Sequence, residues 1–256
     1  MLKMLFSKSQ TECGKTMENL ELTVSNNYID TYKQAIVPLQ NDHDGSPILA
    51  YELLNRSNSK SGFRSPDHFY SFAASHCQIY KVDTFVMKLG LQRLLSSKLE
   101  NPPEHLFVNV HLSTLFSSEW ESIVPVLKKS PIPIVLELSE REGLEEYTKA
   151  EVIQKMREMR ELDLKIAVDD IGKGYSGLYT LTIVHPDFVK IDRELVRDIE
   201  IDRYRQHMMK ALVEYWLSEE VAIIVEGIER REEAQFFQKL GVTYAQGYYY
   251  HRPEMV

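Results

Sequence analysis

The chain has 256 residues, 43% hydrophobic and 27% charged, with a formal net charge of −8 and a pI of about 5.6. These values suit one large globular domain or two small ones. They argue against a general nucleic-acid binder, which would be basic, so no polymeric nucleic acid is expected as a partner. A small phosphorylated ligand stays compatible with the acidic balance, because bound metal ions invert a local potential. Cys13 and Cys77 are too few and too scattered for a disulfide framework or a thiolate metal site. The opening Met-Leu-Lys-Met-Leu-Phe is too short for a signal peptide, and no run reaches the roughly 20 apolar residues of a membrane span. A cytoplasmic protein is the expectation.

In chain order, residues 1–28 are polar and aperiodic and read as an N-terminal extension. No linker interrupts 29–256, which reads as one domain. Strands are predicted at 33–38 and 47–52. Only Leu39 to Ser46 separates them, too short for a parallel crossover of a dozen or more residues, so the first strand should run antiparallel with Asn41 to Gly45 as the hairpin loop. Pro66 to Leu99 holds one or two helices, opened by Ser65-Pro66 as cap and first helical residue. Strands at 105–110 and 132–138 follow, then a helix over Glu145 to Leu162 with Val152, Met156 and Met159 at helical steps. Strands at 164–169 and 186–190 precede a helix over Glu194 to Leu217. A strand at 221–226, a helix over Arg231 to Leu240 stopped by Gly241, and a strand at 242–247 complete the series.

Seven of the apolar runs end on one polar residue: Glu52, Asn109, Glu137, Asp169, Lys190, Glu226 and Gln246, at successive spacings of 57, 28, 32, 21, 36 and 20 residues. Those spacings approach the length of a strand-plus-helix unit. Buried strands that each finish in a reactive side chain describe an α/β fold, a TIM-like (β/α)8 barrel modified by an antiparallel first strand, with its site on the carboxyl-end rim. Five carboxylates on one rim repel one another unless cations sit among them.

The adjacent pair Asp169-Asp170 can serve two metal ions, or bridge one and anchor another; a helix cap or turn is the plainer use of a double Asp. Glu52, Asn109 and Glu137 offer oxygen donors only, which suits Mg²⁺ or Mn²⁺ and not zinc. Glu140 follows Glu137 by three residues and either orients a neighbouring loop or is solvated. Lys190 beside Asp192 can hold a hydroxide or phosphate oxygen, or form a structural salt bridge. Glu226, with Glu229 close behind, is a metal ligand or a general base. Gln246 suits support of the inner residues. Gly172-Lys-Gly174-Tyr-Ser-Gly177 matches a dinucleotide fingerprint, but the two carboxylates directly before it would repel a pyrophosphate, so a flexible loop beside the metals explains it better.

Assembled, the chain resembles the EAL-domain family of cyclic di-GMP phosphodiesterases over nearly all of residues 33–253. The motifs are Glu52-Leu53-Leu54 with Arg56, Val108-Asn109-Val110, Glu137-Leu-Ser-Glu140, Asp169 to Leu178, Lys190-Ile-Asp192, Glu226-Gly-Ile-Glu229 and Gln246-Gly-Tyr248 with Pro253. The resemblance implies cyclic di-GMP as ligand, Mg²⁺ or Mn²⁺ as cofactor in two positions, and a possible homodimer. It implies that Glu52, Asn109, Glu137 and Asp169 hold one ion and that Asp169 and Asp170 serve a second. Lys190 would hold the attacking water and Glu226 would act as base or support the second ion, with Asp170 part of the catalytic group. Arg56 would meet a substrate phosphate, Gln34 and Gln246 would line the substrate side, and Glu140 and Glu229 would support the loops.

The sequence departs from the family pattern at Ala35, at His111, and at Ile171, Lys173 and Gly177 of the loop after the paired aspartates. The rival readings are a receptor that holds the dinucleotide without cutting it and a protein-interaction module.

Overall fold

The computed structural model describes residues 17–39, 48–97, 101–139, 146–173 and 177–256. Eight strands close into a barrel: β1 (Ile29–Pro38), β2 (Ala50–Ser57), β3 (His105–Val110), β4 (Ile134–Ser139), β5 (Lys165–Ile171), β6 (Phe188–Ile191), β7 (Ala222–Val225) and β8 (Tyr244–Ala245). Strands β2 to β8 pair in parallel in sequence order. Strand β1 closes the ring, antiparallel to both β2 and β8. A two-residue strand, β9 (Glu254–Met255), adds to β1 at Tyr32 and Lys33. The antiparallel first strand inferred from connection length is present; the hairpin loop itself lies outside the described residues.

Helices fill the crossovers. A first helix, α1, covers residues 17–25 and buries Leu20 in a small cluster with Ile29, Phe63, Phe69 and Ile79. The predicted helical stretch from Pro66 is two helices, α2 (Pro66–Ser75) and α3 (Ile79–Ser96). Ser65 caps the first by accepting from the His68 amide, as the Ser-Pro signal implied. Helices α4 (Leu112–Leu115) and α5 (Trp120–Lys128) follow β3. Helix α6 (Lys149–Glu161) starts on a capping box between Thr148 and Glu151 and buries Val152, Met156 and Met159, the face that the helical spacing marked. Helix α7 (Gly177–Val184) lies between β5 and β6.

The single helix expected over Glu194 to Leu217 is instead α8 (Arg193–Val196) and α9 (Arg203–Ser218). Asp198 takes a positive φ of 57° between them, and Asp202 caps the second by accepting from the Arg205 amide. Helix α10 (Arg231–Lys239) precedes β8. Among the described residues no helix is long and apolar enough to cross a membrane.

Strand side chains alternate between two faces. The outward set packs under the helices in the large core with Leu106, Val108, Leu136, Val168 and Val189. The inward set forms a separate buried layer of Ile36, Ala50, Phe107, Val135, Ala167, Phe188 and Ile224, one residue from each of seven strands. Phe107 and Phe188 meet edge to face inside it, their centroids 5.1 Å apart. This layer is a dry plug, and it sets the floor for everything above.

Candidate active site

Two residues beyond the plug, every strand places a polar group on the same inward face. Ala50 leads to Glu52, Phe107 to Asn109, Val135 to Glu137, Ala167 to Asp169, Phe188 to Lys190, Ile224 to Glu226 and Tyr244 to Gln246. Strand β1 runs the other way, so its member is found two residues back from Ile36, at Gln34. The period of two along a strand therefore converts one apolar layer into one polar layer directly over it.

The Asp169-Asp170 pair needs an extra device, because consecutive strand residues normally face opposite sides. The β5–β6 register slips between Val168 and Ile171, and Asp170 adopts a left-handed φ of 60°. Asp tolerates that region better than most residues, and the bulge turns its carboxylate toward the same cavity. Asp169 Oδ1 accepts from the Asp170 amide at 2.7 Å. Carboxylate oxygens of Asp169, Asp170 and Glu226 lie within 4.8 Å of one another.

Lys190 is the hub. Its side chain is fully buried, and Nζ lies 2.6 Å from Glu137, 2.7 Å from Glu226, 3.2 Å from Glu52 and 3.5 Å from Asp169. Glu52 also accepts from Gln246 Nε2 at 2.8 Å and from Asn109 Nδ2 at 3.2 Å. Gln34 Nε2 donates to the His251 carbonyl. The loops after β7 and β8 are laced together: the Ile228 amide donates to Gln246 O, and a Cβ at Gly247 would fall 2.2 Å from Ile228 O. Only glycine permits that approach, which fixes Gln246 and Glu226 relative to one another. Glu229 pairs with Arg193 at 2.8 Å on this rim. Glu140 lies outside the described residues.

The electrostatics ask for more positive charge. Burial raises the Glu137 carboxyl well above the usual range, with Glu52 adding to it against the pull of Lys190. Burial and then Asp169 raise Glu226 in the same way. Asp169 is also raised, by burial first and by Glu52 and Asp170, despite Lys190. Glu52 alone is held low: burial pushes it up, but Lys190, Gln246 and Asn109 together outweigh that. Burial would lower the Lys190 ammonium, yet its four carboxylates hold it well above its ordinary value. Neither Glu137 oxygen makes an aligned hydrogen bond, although Oε1 is within ion-pair distance of Lys190.

A fully buried carboxylate without an aligned hydrogen bond, oxygen-only donors and three clustered carboxylates fit hard divalent cations. A carboxylate whose pKa is raised takes up protons at a higher pH than an ordinary one, and an entering cation competes with those protons. Mn²⁺ affinity is therefore expected to fall as pH drops, with its midpoint above the ordinary carboxylate value of about 4.3. Calorimetric titrations at stepped pH check this; affinity unchanged down to about pH 5 would remove Glu137 and Glu226 from the cation site.

A cavity of about 350 Å³ opens over this layer, lined by Glu52, Arg56, Tyr70, Asn109, Asp169 and Asp170 among others. A second, of about 210 Å³, lies on the side of Gln34, Glu226, Glu229 and Gln246, and Glu52 borders both. Arg56 is exposed at the mouth with its guanidinium 5.4 Å from the Tyr32 ring centroid. It reaches the rim because β2 continues to Ser57, five residues beyond the strand end read from the sequence. Asn55, Arg56 and Ser57 carry no apolar alternation, but β1 pairs with them from Ile29 onward.

Sequence reasoning missed the wall formed by α2 and α3. Asp83, 2% exposed, accepts from the His111 amide at 2.8 Å and from Thr114 Oγ1 at 2.7 Å, with His111 Nδ1 at 3.0 Å. Tyr70, also on this wall, donates to Asn55 O at 2.9 Å. The available signal was one acidic residue on the apolar face of Ile79, Val82 and Val86.

Fold and site together define a barrel whose interior rim is a carboxylate-rich pocket around one buried lysine. The chain belongs to the EAL-domain family, which matches residues 17–253. It is 28% identical over 244 residues to the cyclic di-GMP phosphodiesterase PdeL of Escherichia coli strain K12, covering 93% of this chain and 66% of PdeL. It spans 40–66% of the length of four curated relatives it matches, PdeL among them. Among solved structures, the EAL domain of Xanthomonas citri FimX in complex with cyclic di-GMP shares the fold at a TM-score of 0.81 and 18% identity, over 98% of this chain and 97% of that one. Klebsiella pneumoniae BlrP1, in a manganese and cyclic di-GMP complex, is 26% identical with a TM-score of 0.71, over 89% of this chain and 56% of BlrP1.

Proposed function

We propose that this chain is a divalent-metal-dependent phosphodiesterase that opens cyclic di-GMP to linear pGpG, with Mg²⁺ or Mn²⁺ in two positions. The observation that carries the reading is the Lys190 layer: four carboxylates around one ammonium, beneath a cavity with Arg56 at its mouth. The names of the relatives and the ligands of the BlrP1 complex point the same way. Glu52, Asn109, Glu137, Asp169 and Asp170 would hold the ions, which when bound acidify water and offset charge on phosphoryl oxygens.

This chain's own residues then have separable tasks. Arg56 grips a phosphate from the exposed edge of the cavity. Lys190 holds the Glu137, Glu226, Glu52 and Asp169 carboxylates in place. Glu226, with its raised pKa, takes the proton of the water that attacks phosphorus. The P–O bond to the 3′-oxygen breaks, and that oxygen is protonated from solvent. The buried plug below confines water to the upper layer.

Incubation with cyclic di-GMP and Mn²⁺ or Mg²⁺, with pGpG resolved by chromatography, tests the reading. Tight binding with no cleavage under any metal condition would make the protein a receptor instead. Arg56→Lys is expected to weaken cyclic di-GMP affinity by about tenfold, because a point-charge ammonium lacks the planar fork that holds two phosphate oxygens. Mn²⁺ binding should stay unchanged. Equal ligand affinity in both proteins would assign Arg56 to packing on Tyr32.

A further inference from the structure

The Asp170 carboxylate already has a cation. Lys173 Nζ lies 2.5 Å from Asp170 Oδ1 and 2.6 Å from Asp192 Oδ2, with only 30% of the lysine side chain exposed. The position is built by the backbone. The Lys173 amide donates to Asp170 O at 3.1 Å, closing a tight turn after β5. Gly172, at φ 114°, presses that turn onto α8 so closely that a Cβ there would meet Leu195 Cδ1 at 2.4 Å. Asp192 is 3% exposed and spends Oδ1 on the Glu194 amide, capping α8 at 2.8 Å, which leaves Oδ2 facing Lys173.

Asp170 is at the same time one of the three carboxylates, with Asp169 and Glu226, whose oxygens come close enough to share an ion. We propose that Lys173 is a resident cation that competes with a divalent ion for Asp170, weakening uptake at the Asp169, Asp170 and Glu226 group, and that it retreats onto Asp192 when the ion enters. This rests on the reading above that these carboxylates take divalent cations. Two positive groups on one carboxylate repel strongly in a half-buried site, where screening is weak. Asp192 makes the displacement feasible, because the ammonium keeps a buried, fixed partner after losing Asp170. Lys190 lies deeper, within ion-pair distance of Glu137, Glu226, Glu52 and Asp169.

The test is calorimetric titration of the metal-free protein with Mn²⁺, paralleled by the electron paramagnetic resonance signal of free Mn²⁺. Wild type, Lys173→Met and Lys173→Arg are compared. Lys173→Met keeps the length of the side chain and removes its charge, and should tighten the weaker binding event by about tenfold or more. Lys173→Arg keeps the charge and should stay as weak as wild type. Identical isotherms for wild type and Lys173→Met overturn the competition and leave the metal reading standing. Looser binding in Lys173→Met also overturns it, since Lys173 would then be organising Asp170 for the ion. Equal tightening by Arg and Met overturns the role of charge. No Mn²⁺ uptake by any of the three removes the metal reading, and this inference with it.

Discussion

Replacing Lys190 by Met is expected to destabilise the metal-free protein by about 3–5 kcal/mol at neutral pH, the usual consequence of removing one partner from a buried charge cluster. Lys190 is fully buried and faces four carboxylates, three of which already sit above their usual pKa range. Without the ammonium their mutual repulsion loses the positive charge at its centre. The sign with pH follows directly. A carboxylate whose folded pKa is raised stabilises the fold below its unfolded pKa and loses that contribution as pH rises through the folded value. Removing Lys190 raises those carboxylates further, so the deficit of the variant should shrink on acidification. Thermal unfolding of both proteins at about pH 8 and about pH 5 measures this, bracketing the range between a raised and an ordinary carboxylate. Mn²⁺ should also restore part of the lost stability by mass action. A variant as stable as wild type at high pH would mean that the carboxylates are protonated there and that the hub is not an ion cluster. The same burial makes Lys190→Ala a poor probe of chemistry alone, since fold and rate would fall together.

The site was legible in the sequence because the barrel repeats one rule. Each parallel strand is short, apolar on both faces and followed by a polar residue where the interior meets solvent. Glu52, Glu137, Asp169, Lys190 and Glu226 stand out on that pattern alone, and the structure gathers the four carboxylates around the Lys190 Nζ. The antiparallel β1 was readable too, since eight residues from Leu39 to Ser46 cannot hold a crossover.

Features set by tertiary contacts were not readable. The continuation of β2 through Arg56 depends on pairing with β1 and has no apolar signature. The bulge that turns Asp170 into the cavity depends on the β5–β6 register. The break between α8 and α9 is invisible to periodicity, because Val196 and Ile199 keep helical spacing across it while Asp198 turns left-handed. Lys173 was noticed only as a departure from a pattern; its two partners, Asp170 and Asp192, follow from the turn at Gly172 and the position of α8.

Glu226→Gln is expected to leave cyclic di-GMP affinity within about threefold of wild type while lowering single-turnover cleavage by about 10²–10⁴-fold, the range for loss of a positioned base. Gln keeps the volume and a hydrogen-bonding oxygen, so the neighbouring Gly227 turn and the lacing of Ile228 to Gln246 should persist. What it loses is the charge facing Lys190 at 2.7 Å and the capacity to accept a proton. The raised pKa of Glu226 brings it nearer to working pH, where a base both accepts a proton from water and releases it afterward. The measurement needs three readouts on the same protein: Mn²⁺ binding, cyclic di-GMP binding, and conversion to pGpG with enzyme in excess. Mn²⁺ binding retained and cleavage lost assign Glu226 to proton transfer. Mn²⁺ binding lost in parallel assigns it to the cation group with Asp169 and Asp170, whose oxygens share its 4.8 Å neighbourhood. Cleavage retained removes it from both roles and leaves water activation to the carboxylates nearer Asn109. A base matters only in the transition state, so a receptor would show the first two readouts unchanged and no third one in wild type to lose.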